Sequence, residues 1–208
     1  MNSKEIARYG IVAALVTVGI LIDTLISSFG LPINVAIGTI VIVLVICQSF
    51  DLKTAVFAST VFGILSLIRA FVFPNLTSPL FQKPLVSVLP RICIGFTCHL
   101  SFLGFKKIFK QKDFRLYLPY IFSGAIGVIT NTALVLTMMS VVDNSMLAKV
   151  IGIIISFNFL IEFLCGLMVV PTISRVLQRV RKNTDNKNDN TLIDSAPDNK
   201  NDLTDKDI

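Results

Sequence analysis

Apolar residues run along this chain in long blocks separated by short polar gaps, and the blocks define the expected elements. The first covers residues 6–28 and ends at Phe29-Gly30-Leu31-Pro32, a combination that breaks helices. The second covers 33–50 and is followed by the very short turn Asp51-Leu52-Lys53. The third covers 54–73. A longer connection rich in turn residues follows, Pro74-Asn75-Leu76-Thr77-Ser78-Pro79 and then residues 80–84. The fourth block covers 85–105, the fifth 116–141 with Pro119 near its start, and the sixth 146–170, continuing into a basic end. At 1.5 Å per residue, about 20 helical residues cross a hydrocarbon layer of ~30 Å. The pattern predicts an all-α membrane protein, a six-transmembrane-helix bundle. The second block is the shortest, and its alternative reading is a re-entrant or interfacial segment, which would leave five crossings. The first block reads as a membrane helix and not a cleaved signal, because it is long and the chain after it is equally apolar.

Charge adds an orientation. With the N-terminus inside, the inner segments hold Lys4, Arg8, Lys53, Lys106, Lys107, Lys110, Lys112, Arg115, Arg175, Arg179, Arg181 and Lys182. The outer connections hold Lys83, with Arg69 and Lys149 near helix ends. Basic residues collect on the cytoplasmic side of membrane proteins, so both termini are expected in the cytoplasm. From about Asn183 the chain is dominated by Asn, Asp, Lys, Thr and Ser, too polar to bury a core. The expected organisation is a transmembrane domain over residues 1–177 and a disordered polar cytoplasmic tail over 178–208.

Composition removes several functions. Of 208 residues 53% are hydrophobic and 15% charged, with a mean hydropathy of +0.76; soluble domains carry about 25% charged residues. The net charge of +6 does not imply a nucleic-acid partner, because the basic residues flank apolar runs. Cys47, Cys93, Cys98 and Cys165 all fall inside those runs with no metal-binding spacing, and read as small packing residues. His99 is the single histidine. No metal or cofactor site is expected. Neither a phosphate-binding glycine loop nor a zinc-protease motif occurs, so no catalytic residue is assigned and the chain is not expected to be an enzyme.

Polar groups inside membrane helices are costly and face the bundle interior or a cavity. The candidates are Arg91 in the fourth helix, Arg69 near the outer end of the third, Asn131 in the fifth, and Asn158 and Glu162 in the sixth. The last two are four residues apart and share one helix face. They suggest a polar pocket opening outward, with Arg91 meeting an anionic ligand and the asparagines orienting its polar groups. The plainer alternative pairs Arg91 with Glu162 and uses the asparagines to join helices, while Arg69 snorkels to the interface. In the first helix Gly10, Ala13 and Ala14 give a small-residue face suited to close approach by another helix, inside the bundle or outside it.

Two stretches carry a family likeness. The run Ile6-Ala7-Arg8-Tyr9-Gly10-Ile11-Val12-Ala13-Ala14-Leu15, and the segment 73–95 containing Ser78-Pro79 and Pro84-Leu85-Val86-Ser87-Val88-Leu89-Pro90-Arg91, resemble the substrate-binding (S) components of energy-coupling factor (ECF) vitamin transporters, in particular the pantothenate-type subgroup. The resemblance covers about residues 5–175. It implies an N-in/C-in six-helix subunit in a bacterial cell membrane that binds a water-soluble vitamin from outside. It also implies partners: a transmembrane coupling subunit, docking on the face of Gly10 and Ala14, and two ATP-hydrolysing subunits. The connection 74–84, with Ser78, would gate the pocket. Arg91 suits a carboxylate such as pantothenate, folate or biotin; thiamine would need acidic or aromatic contacts, and riboflavin stays open. The family's alanines spaced by four are met here by Gly10 and Ala14. The alternatives are a stand-alone facilitator or secondary transporter, which would move solute without ATP-hydrolysing partners, and a membrane enzyme or scaffold, which would need a catalytic cluster at one interface.

Overall fold

The computed structural model describes residues 3–28, 36–74, 78–109, 117–142 and 146–194, with side chains on the last helix over 158–180 and at 183–184. These form helices joined by short turns: α1 (Ser3–Ser28), α2 (Ile37–Ser49), α3 (Leu52–Val72), α4 (Ser78–Phe81), α5 (Pro84–Ser87), α6 (Leu89–Ile108), α7 (Leu118–Val142) and α8 (Met146–Asp194). There is no strand among the described residues. Five segments are long and apolar enough to cross a membrane: Glu5–Ser28, Leu52–Val72, Pro84–Ile108, Leu118–Val142 and Asn158–Val180. Their outward faces carry large apolar side chains such as Ile11, Leu25, Phe71, Leu100, Ile129 and Leu164. Charged and amide side chains such as Asp23, Arg91 and Asn131 are instead buried. That distribution suits a lipid surround, where apolar contact outside costs nothing and polar groups must pair inside.

The second helix differs from its expected extent. It covers Ile37–Ser49, 13 residues, about 20 Å at helical rise and short of a hydrocarbon layer; residues 33–35 of the expected run lie outside the described ones. It packs on α1, α3, α6 and α7. Buried residues run all round it, from Thr39 and Ile40 through Val43 to Gln48. A helix apolar on every side belongs in a core and not at a boundary. Val43, Leu44 and Cys47 join Val16, Phe62, Ile94, Cys98 and Val128 in the main apolar cluster.

Other boundaries moved for local reasons. The expected fourth helix is broken at Val88 into α5 and α6, because Pro90 supplies no N–H and restricts the residue before it. Pro90 then occupies the first turn of α6, where a missing donor does no harm. α3 starts at Asp51, whose carboxylate accepts from the Thr54 backbone N–H at 3.4 Å and its hydroxyl at 3.0 Å and pairs with Arg8 of α1 at 2.9 Å. α8 passes through Pro171 and continues to Asp194, beyond the apolar run 146–170 and through its basic end. Residues 178–194, part of the expected polar tail, lie in this helix. Residues 195–208 lie outside the described ones. By contacts the chain divides into Met1–Arg175 and Val176–Ile208.

Close approaches depend on glycine. A Cβ at Gly95 of α6 would lie 3.0 Å from the Ala55 carbonyl oxygen of α3. One at Gly124 of α7 would lie 2.9 Å from the Gly166 carbonyl oxygen of α8. Backbone cannot swing aside, so Gly124→Ala should cost roughly 1–3 kcal/mol and lower the unfolding temperature in detergent. Asp51→Ala should cost about 1 kcal/mol through the lost cap in the same assay. Partial burial alone would raise the Asp51 carboxyl, but its Thr54 hydrogen bonds and Arg8 outweigh that and hold it below its ordinary value of 3.8. The folded value being the lower one, this stabilisation is complete above 3.8 and disappears as pH falls through the folded value. Acid titration of the unfolding temperature, wild type against Asp51→Ala, should converge at low pH.

Candidate functional site

The N-terminus of α2 is half-buried and carries no side-chain cap of its own at Ala36. The first turn of any helix leaves N–H groups without intrahelical partners. Here Asp23 of α1, fully buried, reaches across. Its two carboxylate oxygens accept from the Gly38 N–H at 2.8 Å and the Thr39 N–H at 2.9 Å, and one also accepts from the Thr39 hydroxyl. The carboxylate thus caps a helix that it does not belong to, and its charge meets the positive end of the α2 dipole. Arg69 of α3 closes the arrangement, donating at 2.7 Å to the Ser27 hydroxyl and at 3.3 Å to the Asp23 backbone carbonyl. A cavity of about 300 Å³ lies here, lined by Thr24, Ser27, Ser28, Arg69, Val72, Phe73 and Pro74. Asp23 is absent from the polar residues read out of the sequence, although an acid within Gly19-Ile20-Leu21-Ile22-Asp23 is the same kind of signal.

A second polar group forms where α6, α7 and α8 meet. Arg91, two residues into α6, is 5% exposed. The break at Val88 frees the carbonyl of Val86, which accepts from Arg91 Nη1 at 3.0 Å. The guanidinium carbon lies 5.5 Å from the centre of the Phe62 ring and 5.2 Å from that of Phe81, a cation–π setting. Asn158 donates through its amide to Glu162 at 2.9 Å, as their spacing on one helix face allows. Asn131 of α7 lies within electrostatic reach of the Glu162 carboxylate. Arg91 and Glu162 are within each other's electrostatic reach but form no ion pair within 4.0 Å; the direct ion pair between described residues is Arg8–Asp51.

Several buried atoms here lack a hydrogen-bond partner among the described residues: Arg91 Nε, Asn131 Oδ1, Asn158 Oδ1 and Ser87 Oγ. Each such group is costly when dry. These atoms are one donor on a cation and several acceptors, the complement of a small anion that also carries hydroxyl or amide hydrogens. The structure therefore brings together Arg91, Asn131, Asn158 and Glu162. Arg69 is not with them but beside Asp23, and Asp23 is within electrostatic reach of both Arg69 and Glu162. Ser78 is buried on α4, three residues before the Phe81 that lies against Arg91.

The remaining candidates fall elsewhere. His99 donates from Nδ1 to the Cys47 carbonyl at 2.8 Å, tying α6 to α2. No group of three metal-ligating residues occurs among the described residues. On α1, Gly10 and Ala14 are exposed and Ala13 is half-buried, and a side chain added at Gly10 would meet nothing within 4 Å.

Asp23→Leu removes both acceptors from the α2 terminus and the neutralising charge from Arg69, whereas Asp23→Asn keeps one acceptor. Unfolding temperature in detergent should fall for both. The asparagine loss should be about 1 kcal/mol, the usual scale of a cap, and the leucine loss larger; equal stability of all three proteins would remove Asp23 as the anchor of α2.

No family model matches the chain. Among curated proteins it is similar to the pantothenate transporter PanT of Leuconostoc mesenteroides subsp. mesenteroides, with 27% identity over 139 residues. The matched stretch covers 60% of this chain and 66% of that protein, just under two thirds of its length. With five helices suited to crossing a bilayer and this likeness to a transporter, the chain is a multi-pass membrane protein.

Proposed function

We propose that the chain is the vitamin-binding subunit of an ATP-driven importer of the energy-coupling-factor kind, with a carboxylate vitamin, pantothenate foremost, as ligand. The observation that carries this reading is that Arg91 Nε and the side-chain oxygens of Asn131 and Asn158 are buried without a hydrogen-bond partner among the described residues. A ligand carboxylate would take the guanidinium edge left free by Val86, and ligand hydroxyl and amide hydrogens would go to the asparagine oxygens. Phe62 and Phe81 would keep water from the ion pair, strengthening it. Pantothenate has one carboxylate, two hydroxyls and one amide, which suits that division. The transporter named for the similar protein supports the same choice.

The remainder of the proposal concerns architecture. The apolar run 33–50, which contains α2, makes the sixth crossing. Both termini then share the cytoplasmic face with Arg8, Lys53, Lys106, Lys107 and Arg175. α4 and α5 cover the site from the opposite face, with Ser78 and Phe81 in the cover. The open face at Gly10 and Ala14 of α1 receives the transmembrane coupling subunit, since small residues let helices approach closely in lipid. ATP hydrolysis belongs to two further partner subunits. Residues 178–208 form a cytoplasmic tail outside the binding domain, and Arg69 serves α1 and α3 at the entrance.

Equilibrium binding of a vitamin panel to the purified chain in detergent tests this reading. Pantothenate should bind with submicromolar affinity. Arg91→Ala should weaken it by at least about tenfold, and Arg91→Lys nearly as much, because a lysine does not reproduce the planar fork. A folded protein that binds no vitamin overturns the proposal.

A further inference from the structure

The cavity of about 300 Å³ between the last turns of α1 and α3 shares no lining residue with the group around Arg91. Among the described residues that line it, Arg69 is the one cation and none is an acid. The fully buried Asp23 carboxylate is turned to the Gly38 and Thr39 N–H groups of α2. Arg69 Nη2 donates instead to the Ser27 hydroxyl and the Asp23 backbone carbonyl, both neutral groups. The wall beside Arg69 consists of hydroxyls whose hydrogens are already committed. Thr24, Ser27 and Ser28 each donate to the carbonyl four residues earlier, at 2.6, 2.8 and 2.9 Å. Their oxygens therefore act toward the cavity as acceptors. Ser28, Phe73 and Pro74 are exposed, so the cavity opens at the surface. Its fitting occupant is one small molecule that offers an oxyanion to the guanidinium and hydroxyl or amide hydrogens to the wall. That is the chemistry of the ligand proposed for Arg91.

The two arginines are placed in sequence along α3. α6 passes closest to α3 at Gly63, where an added Cβ would lie 3.1 Å from Val88 Cα and 3.3 Å from Arg91 Cβ. Arg69 is six residues further along α3, roughly 9 Å nearer the end of that helix. The connection from α3 to α6 touches both places. Its Pro74 lines the cavity, its Phe81 lies against Arg91, and its Gln82 donates to the Ala70 carbonyl, next to Arg69, at 3.1 Å. We infer that the Arg69 cavity is an outer subsite for the carboxylate ligand, occupied before Arg91, so that capture passes the anion from one guanidinium to the other. No covalent bond is made or broken. The half-buried Arg69 takes the carboxylate part of the way out of water, which divides the desolvation cost of delivering it to the buried Arg91. This inference rests on the ligand occupying Arg91 as proposed above.

A subsite used on the way in sets the association rate and leaves the final complex alone. The experiment is rapid-mixing kinetics of pantothenate binding to the full chain in detergent, at low and high salt. Arg69→Gln should lower the association rate by roughly three- to tenfold at low salt, with a weaker salt dependence and dissociation unchanged. Arg69→Lys keeps the charge and should restore most of the rate. Ser28→Phe leaves Arg69 and Asp23 in place but fills the cavity and removes one acceptor, and it should slow association as well. A loss in Arg69→Gln that Ser28→Phe does not share would make Arg69 a distant steering charge and overturn the subsite. Faster dissociation as the main effect of Arg69→Gln would put Arg69 in the final complex and overturn the sequence of steps. Wild-type association rates in both variants overturn the subsite and leave the vitamin-binding reading standing. If pantothenate and the other carboxylate vitamins do not bind the wild type at all, that reading fails and the subsite with it. Should Arg69→Gln not fold, Ser28→Phe decides alone: unchanged association in it overturns the inference.

Discussion

A helix whose first turn is half-buried against an apolar body leaves N–H groups that need acceptors, and α2 begins in this way. Everything around the polar interior follows from how that demand is met. Asp23 supplies the acceptors from another helix, which fixes α1 against α2. Its negative charge calls for Arg69, which fixes α3 against α1. With α1, α2 and α3 set, α6 packs on α3 at Gly95 and carries Arg91 to the junction with α7 and α8. The structural charges and the site charges are thus neighbours, linked through the field between Asp23 and Glu162.

The two halves of this interior differ in how fully their hydrogen bonds are made. Around Asp23 donors and acceptors are matched, as a load on the fold requires. Around Arg91 they are not: a donor and several acceptors are left over among buried atoms. A protein that needed these residues only to join helices would gain by pairing Arg91 with Glu162, and it does not do so. Leaving matched groups apart and unsatisfied is costly. It becomes favourable when a ligand completes the set, and the proposed function rests on that difference.

Much of this was legible in the chain. The blocks of apolar residues located the long helices, and the rule that intramembrane polar residues face inward brought Arg91, Asn131, Asn158 and Glu162 into one list that the structure brings into one place. What was not legible depends on contacts across turns. Asp23 acts on groups 15 and 16 residues away, and nothing in the local pattern says that the end of α1 returns to the start of α2. For the same reason Arg69 read as a member of the Arg91 group when it belongs with Asp23. The break at Val88 was signalled by Pro90, but a run of apolar residues outweighs one proline in a hydropathy reading. The course of α8 past Pro171 could not be read either, because a proline inside a helix removes one hydrogen bond without fixing whether the helix ends.

The shortness and all-round burial of α2 bear on how the protein is made. A nascent segment partitions into the bilayer on its own if it is long and apolar enough to leave the translocation machinery unaided. α2 is short and mostly buried, and it starts on N–H groups that donate to Asp23 of α1. Of the neighbours that bury it, α1 precedes it in synthesis, while α3, α6 and α7 follow. Its final position is therefore reached only after most of the chain has emerged, and until then it has to be sheltered against α1 or held in the insertion channel. A chain cut off before α6 and α7 would present this segment to the quality-control proteases of the membrane as unfinished.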